Sequence, residues 1–269
     1  MKKLNFLPIE GRHRGQPILV LGCGPGMAEF DFGRAHEFIT IGVNGILRAF
    51  DPDYYLWVDP PAYDRFKDLI HKSVAEKFAP AEGRVADDLP VNIFPRYIPG
   101  PGDCIISPNW KGGLFHSHTV AMAALNLAYL MGANPIIMAG VELNDCGHFY
   151  KPAQDTREYP SKPEILRHFA LLAEFAARNN ISILNATRGS SVRDFPFINL
   201  ADFTAEKNNI VCAERTMDGR IVNVCPCFDR EKEICQSIKP IVYDISLNRW
   251  ECREKCIMCA RDDKTREMK

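Results

Sequence analysis

Pro17-Ile-Leu-Val-Leu-Gly22-Cys-Gly-Pro-Gly26 is the stretch on which the fold of this 269-residue chain turns. Four consecutive apolar residues, Ile18 to Leu21, read as a strand buried on both faces. The glycines that follow read as its sharp exit turn, since glycine adopts positive φ freely and lets a ligand approach backbone N–H groups. Such a turn after the first strand of an α/β sheet is where phosphates are commonly held, and a plain tight turn is the competing reading. The dinucleotide pattern G-x-G-x-x-G is not met, because Gly22 and Gly24 are followed by Gly26 and then Met27. A second strand, Phe38 to Val43, ends in Asn44, where an NAD-binding protein places Asp or Glu for the ribose. An amide both donates and accepts, and can bind a sugar hydroxyl or a base edge. The residues therefore point to a nucleotide site other than an NAD site, built on Gly22, Gly24, Gly26 and Asn44.

Working outward, Asp53 to Val58 reads as a third strand closing in Asp59-Pro60-Pro61, and Tyr63 to Phe78 as a helix with Phe66, Leu69, Ile70 and Val74 on one face. Residues 79–113 are rich in Pro and Gly, with short apolar runs at Val91–Phe94 and Cys104–Ile106, and read as a binding loop or an irregular insertion. Thr119 to Met131 is apolar on most faces and reads as a buried helix, capped by Ser117 or His118 and ended by Gly132. A strand from Pro135 to Gly140 runs on into Val141-Glu-Leu143. A helix from Pro163 to Asn179 then leads to a strand at Ile181–Leu184 and the polar loop Asn185–Ser191. This alternation predicts a doubly wound, mostly parallel α/β sheet in a domain spanning 1–205. Ligands of such sheets lie outside the carboxyl ends of the strands. Those ends carry Gly22–Gly26, Asn44, Asp59, Glu142 and the group Asn185, Thr187, Gly189 and Ser190.

Composition narrows the classes. A net charge of −1, with 25% charged residues and no dense Lys/Arg run, gives no electrostatic footprint for nucleic acid. No stretch approaches the roughly 18 apolar residues of a membrane span. The start, with Glu10 and Arg12 and no apolar run before them, does not read as a signal peptide, so a cytoplasmic location is expected.

Leu21-Gly-Cys-Gly-Pro-Gly-Met27, Gly42-Val-Asn44, Tyr54-Tyr-Leu-Trp-Val-Asp-Pro60, Gly140-Val-Glu-Leu143, Gly147-His-Phe-Tyr150 and Asn185-Ala-Thr-Arg-Gly189 together resemble one family. It is the Rossmann-like group of motility accessory factor (flagellin) glycosyltransferases and the archaeal 6-hydroxymethyl-dihydropterin diphosphokinase, more distantly similar to bacterial CMP-sugar sialyltransferases. The resemblance covers roughly residues 15–205. It implies a nucleotide across the glycine turn and Asn44, and transfer from a phosphate-linked donor such as a nucleotide-activated sugar. Alternatives are Mg²⁺-dependent diphosphate transfer to a pterin-like alcohol, or a non-enzymatic nucleotide-binding module. Family members often have Ser-Leu where this chain has Gly26-Met27, and G-V-D-L where it has Gly140-Val-Glu-Leu143.

Among the chemical candidates, Glu142 could hold Mg²⁺ on a diphosphate, act as general base, or cap a neighbouring helix. His148 could move a proton at an acceptor or leaving group, or serve as a structural loop histidine. Asp59 could bind ribose or metal, or cap the helix beginning near Pro61. His116 and His118 read as a helix start rather than a metal pair, and Lys111 as part of a solvated loop.

The tail, 206–269, is a second unit. Seven of the ten cysteines crowd between Cys212 and Cys259. Residues 210–224 read as a hairpin turning at Asp218-Gly219. Closely spaced thiols at Cys225, Cys227, Cys235, Cys252, Cys256 and Cys259 then suggest a zinc or iron–sulfur site. The spacing Cys252-x3-Cys256-x2-Cys259 resembles the cluster motif of radical SAM enzymes, but only ten residues follow, too few for their barrel.

Overall fold

Along β1 (Ile18–Leu21) successive side chains alternate between two cores, Ile18 and Val20 entering one and Leu19 and Leu21 the other. All four are fully buried, as the unbroken apolar run requires of a central parallel strand. The computed structural model describes residues 9–82, 85–86, 88–100, 104–144, 147–150 and 161–203, together with the backbone of strands between 210 and 252. The chain divides into two units, Met1–Ala205 and Glu206–Lys269.

In the first unit, β1 is joined by β2 (Ile39–Val43), β3 (Tyr54–Leu56), β4 (Glu76–Pro80), β5 (Val91–Phe94), β6 (Ile136–Ala139) and β7 (Ile183–Asn185). They form a seven-stranded sheet in the order β5-β4-β3-β2-β1-β6-β7. Every pairing in it is parallel. The chain winds outward from β1 to β5, then returns to place β6 on the other side of β1. The strand order therefore reverses between β1 and β6, and a crevice opens at their carboxyl ends.

Helices cover both faces, which makes the sheet Rossmann-like. The short α1 (Phe32–Ala35) and α2 (Pro60–Lys72) pack on one face, α2 through Tyr63, Phe66 and Ile70 against Tyr55 and Trp57. On the other lie α3 (Val120–Leu130) and α4 (Lys162–Arg178), whose Phe169 and Leu172 join Ile41, Leu56 and Met138. All of α3 except Tyr129 is buried, including Asn126. That amide stays inside because it is satisfied: Oδ1 accepts from the backbone N–H of Ser107 (3.1 Å) and Phe115 (3.0 Å), and Nδ2 donates to the Ser107 carbonyl (3.2 Å).

The sheet has two strands more than the periodicity predicts. The expected helix to Phe78 stops at Lys72, and Glu76–Pro80 is β4. Asp51 causes the break: its Oδ2 accepts the Val74 N–H at 3.1 Å, its Oδ1 accepts the Ser73 hydroxyl, and Ser73 turns extended at ψ 139. Val74, expected on the apolar helix face, is 90% exposed. Val91–Phe94 is likewise an edge strand rather than part of a loop. Thr119, not Ser117 or His118, caps α3, its side chain accepting from the Ala121 N–H.

The second unit is antiparallel. Strands β8 (Ile210–Arg215), β9 (Ile221–Val222), β12 (Ile241–Asp244) and β13 (Arg249–Cys252) form a sheet in the order β12-β13-β8-β9, and β10 (Phe228–Asp229) pairs with β11 (Ile234–Cys235). The pairing of β8 with β9 is that of the expected hairpin. Cys235 and Cys252 end strands, whereas Cys225, Cys227, Cys256 and Cys259 lie outside the described residues. Among the described residues no group of three or more His, Cys, Asp or Glu could hold a metal ion, and no helix is long and apolar enough to cross a membrane.

Candidate functional site

The glycine turn is shaped by what lies against it. As β1 leaves the sheet, the Gly22 N–H donates to the Ala139 carbonyl (2.7 Å) and the Gly24 N–H to the Gly140 carbonyl (2.8 Å), so the turn runs along the exit of β6. A Cβ on Gly22 would lie 2.3 Å from the Gly140 oxygen. Close approach, not positive φ, is therefore what demands glycine here; Gly24 itself has φ −64. The positive φ expected of this turn falls instead on Gly140, at +71.

Glu142 fills the space that the glycines leave. It is 4% exposed, and its Oε1 accepts the Gly26 N–H at 2.7 Å. The carboxylate thus caps the one-turn 3₁₀ segment Pro25–Glu29, the structural alternative in the sequence reading. Its Oε2 is buried and accepts no hydrogen bond. Burial pushes the pKa of this carboxyl above the usual carboxylate value, against the opposing pull of the Gly26 N–H and its own backbone N–H. The polar loop after β7 holds Glu142 from behind. Ser190 Oγ donates to the Val141 carbonyl (2.7 Å), the Ser191 N–H donates to the Glu142 carbonyl (2.7 Å), and Thr187 Oγ1 accepts from the Val141 N–H (3.4 Å). Asn185 braces that loop, its Oδ1 accepting from the Thr187 N–H and its Nδ2 donating to the Val192 carbonyl, both at 2.9 Å.

These elements frame a cleft of about 450 Å³ at the carboxyl ends of the strands. Gly22, Gly24, Asn44, Asp59, Glu142 and His148 all contribute to its walls. Gly26, Asn185, Thr187, Gly189 and Ser190 do not; Asn185, Thr187 and Ser190 are spent on backbone contacts, and Gly189 is exposed with φ +74. They stand behind the wall rather than on it. Asp59 caps α2, its Oδ1 accepting the Ala62 N–H at 2.7 Å, and still faces the cleft. Cys23 lies within the turn, its thiol donating to the Val43 carbonyl and pushed up to about 12 by burial, so it is held as the unreactive thiol.

Strain gathers around the opening. Of the five non-glycine residues with positive φ among the described residues, Asn44 (45), His118 (57) and Leu143 (50) stand on the cleft wall, and Ser117 (35) adjoins it. Such backbone persists only where the surroundings hold it, and it clusters at ligand sites. Asn44 is fixed through its carbonyl, which accepts the Tyr55 hydroxyl at 2.7 Å, while its buried Oδ1 has no partner.

Three further wall residues received less weight in the sequence reading. Tyr150 stacks on His148, with centroids 5.2 Å apart and planes at 21°, and lies so close to Gly45 that a Cβ there would be 2.1 Å from its ring. Burial raises the Tyr150 phenol to about 12, with Arg65 and Arg48 pulling the other way. Arg65 on α2 places a guanidinium on the wall, and Thr119, whose Oγ1 accepts the Ala121 N–H at 3.4 Å, stands on it at the start of α3. The signal for Tyr150 was its place two residues after His148; nothing in the sequence set Arg65 apart from other helix-surface arginines.

No protein-family model matches this chain, and no curated protein matches it. Among solved structures it is similar to a MAf glycosyltransferase from Magnetospirillum magneticum AMB-1, at 15% identity and a TM-score of 0.51 over 74% of this chain. The match covers 36% of that larger protein, so the likeness is one of fold over about a third of its length. A sialyltransferase, CstII from Campylobacter jejuni, solved with the substrate analogue cytidine-5'-monophosphate, aligns at 12% identity with a TM-score of 0.41, over 71% of this chain and 89% of that one.

Proposed function

We propose that the first unit is a transferase domain that binds a nucleotide-activated sugar in the cleft between the ends of β1 and β6. The observation that carries this reading is the unpaired Asn44 Oδ1 buried in the wall of a cleft at the point where strand order reverses. A buried acceptor costs about 1–3 kcal/mol when unsatisfied, and a nucleoside supplies the hydroxyl or amino donors that satisfy it. The fold shared with a MAf glycosyltransferase agrees with the reading.

In the proposed reaction an acceptor hydroxyl attacks the anomeric carbon of the donor. The new C–O bond forms as the bond from that carbon to the phosphate oxygen breaks. The nucleotide leaves with the bonding electron pair, and the hydroxyl proton passes to the His148 imidazole. Arg65 and the first turn of α3 offset the charge that develops on the phosphate, and Tyr150 keeps His148 oriented by stacking. Positioning and charge stabilisation supply most of the rate. Asp59, which also faces the cleft, is the carboxylate that would hold magnesium on a diphosphate, with phosphate oxygens and water as the other ligands. In the second unit, the thiols from Cys225 to Cys259 are proposed to hold zinc or an iron–sulfur cluster; anaerobically purified protein containing neither zinc nor iron would refute that.

The test is nucleotide release from CMP-, UDP- and GDP-sugars, with and without Mg²⁺. Slow release of one nucleotide, lowered about 100-fold in His148→Ala with binding retained, is expected. Transfer of a diphosphate from ATP to an alcohol with release of AMP, and no release from any sugar donor, would replace this reading with diphosphate transfer.

A further inference from the structure

We infer that the glycine turn receives the hydroxyl end of the nucleoside and excludes its phosphates, with Glu142 as the residue that decides. The inference rests on the proposed nucleotide reading of the cleft and adds an orientation to it. Three observations carry it. The Gly26 N–H, the donor that would make this turn an anion cradle, is already taken by Glu142 Oε1 at 2.7 Å. The second oxygen, Oε2, occupies the space directly over Gly24, where a side chain would begin: a Cβ on Gly24 would stand 1.2 Å from it. That oxygen belongs to a residue 4% exposed, on the cleft wall, and it accepts no hydrogen bond.

A phosphate placed at Gly24 would set two anions together where little water screens them. A ribose hydroxyl that approaches Glu142 from the cleft donates to Oε2 and satisfies it. The Arg65 guanidinium on the wall lies on another element, α2. The phosphates of the ligand are therefore directed there, and the base and ribose toward Asn44 and Glu142. The turn looks like a phosphate loop in sequence, yet the chain's own carboxylate has changed what it selects.

The experiment is calorimetric titration of the full chain at about pH 8, several units above the ordinary carboxylate value. The probes are CMP, UMP, AMP and GMP, their 2′,3′-dideoxy forms, and inorganic pyrophosphate. For the ribonucleotide that binds, loss of the hydroxyls should weaken binding about tenfold or more, the scale of a hydrogen bond to a charged group. Glu142→Gln, which keeps an acceptor for Gly26 but turns a donor toward Gly24, should abolish that difference and tighten pyrophosphate binding. Equal affinity of ribo and dideoxy forms, or an undiminished difference in Glu142→Gln, would overturn the inference while leaving nucleotide binding intact. Binding of none of the mononucleotides by folded protein would overturn the nucleotide reading and this inference with it. The wild-type ligand series stands without any variant, so a poorly folding Glu142→Gln protein does not remove the test.

Discussion

Gly24 cannot carry a side chain while Glu142 keeps its place, and that pair sets the character of the cleft. Gly24→Ala should lower stability by about 1–3 kcal/mol, the cost of overpacking a filled site. Removing the obstructing carboxylate in Gly24→Ala/Glu142→Ala should recover about half of that loss or more, because contacting residues do not behave additively. Equal losses that simply add, measured by urea unfolding, would mean that the two residues do not meet. The Glu142 carboxyl also gives a pH signature. Its folded-state pKa is raised by burial, so its contribution to stability is fully present below the unfolded value and is lost as pH rises through the folded one. Glu142→Gln removes the buried charge. The melting temperature of the variant should therefore exceed that of wild type at about pH 8, and the gap should close toward about pH 5. A gap that widens with acidity would contradict the sign of the shift. At this scale the sequence read Gly22, Gly24, Asn44, Asp59 and Glu142 as strand-end residues, and all five line one cleft. It did not show that Glu142 faces Gly24, because that contact joins residues 116 to 118 positions apart and depends on β6 lying beside β1.

Among the elements, β1, β2, β3, β6 and α3 were legible because burial on both faces leaves unbroken apolar runs such as Ile18–Leu21 and Val120–Leu125. β4 was not, and its charged residues explain why. Glu76 pairs with Arg12 at 2.6 Å and accepts from Asn92 Nδ2 at 2.8 Å, while buried Lys77 donates to the Ser73 and Ala75 carbonyls. Partners of Glu76 distant in sequence, and local carbonyls for Lys77, both invisible to periodicity, let a Glu-Lys pair open a strand next to a helix whose pattern otherwise continued. Asn126 of α3 shows the same dependence inside a helix. Asn126→Leu should orphan the N–H groups of Ser107 and Phe115, at roughly 1–3 kcal/mol each. A loss below about 0.5 kcal/mol in urea unfolding would show that the 107–115 segment finds other partners.

At the scale of the whole molecule, the order β5-β4-β3-β2-β1-β6-β7 places the reversal of winding between β1 and β6, and everything proposed here follows from that position. The Gly22–Gly26 turn, the Gly140–Glu142 exit and Asn44 converge because three parallel strands end side by side. The doubly wound character was legible from the alternation of strands and helices; the seven-strand width was not, because β4 opens on Glu76-Lys77 and the apolar run of β5 is only four residues long and broken by Asn92. The central claim is that a nucleotide occupies this opening with its nucleoside against Asn44. The measurement that tests it most directly is calorimetric titration of the wild-type chain and Asn44→Gly with CMP, UMP, AMP and GMP. Glycine suits the φ of +45 at this position, so the variant removes the amide without straining the backbone. One of the four is expected to bind wild type, and Asn44→Gly to weaken it about tenfold or more at unchanged melting temperature. Binding of the same strength to both proteins, or of none of the four to either, would contradict the central claim.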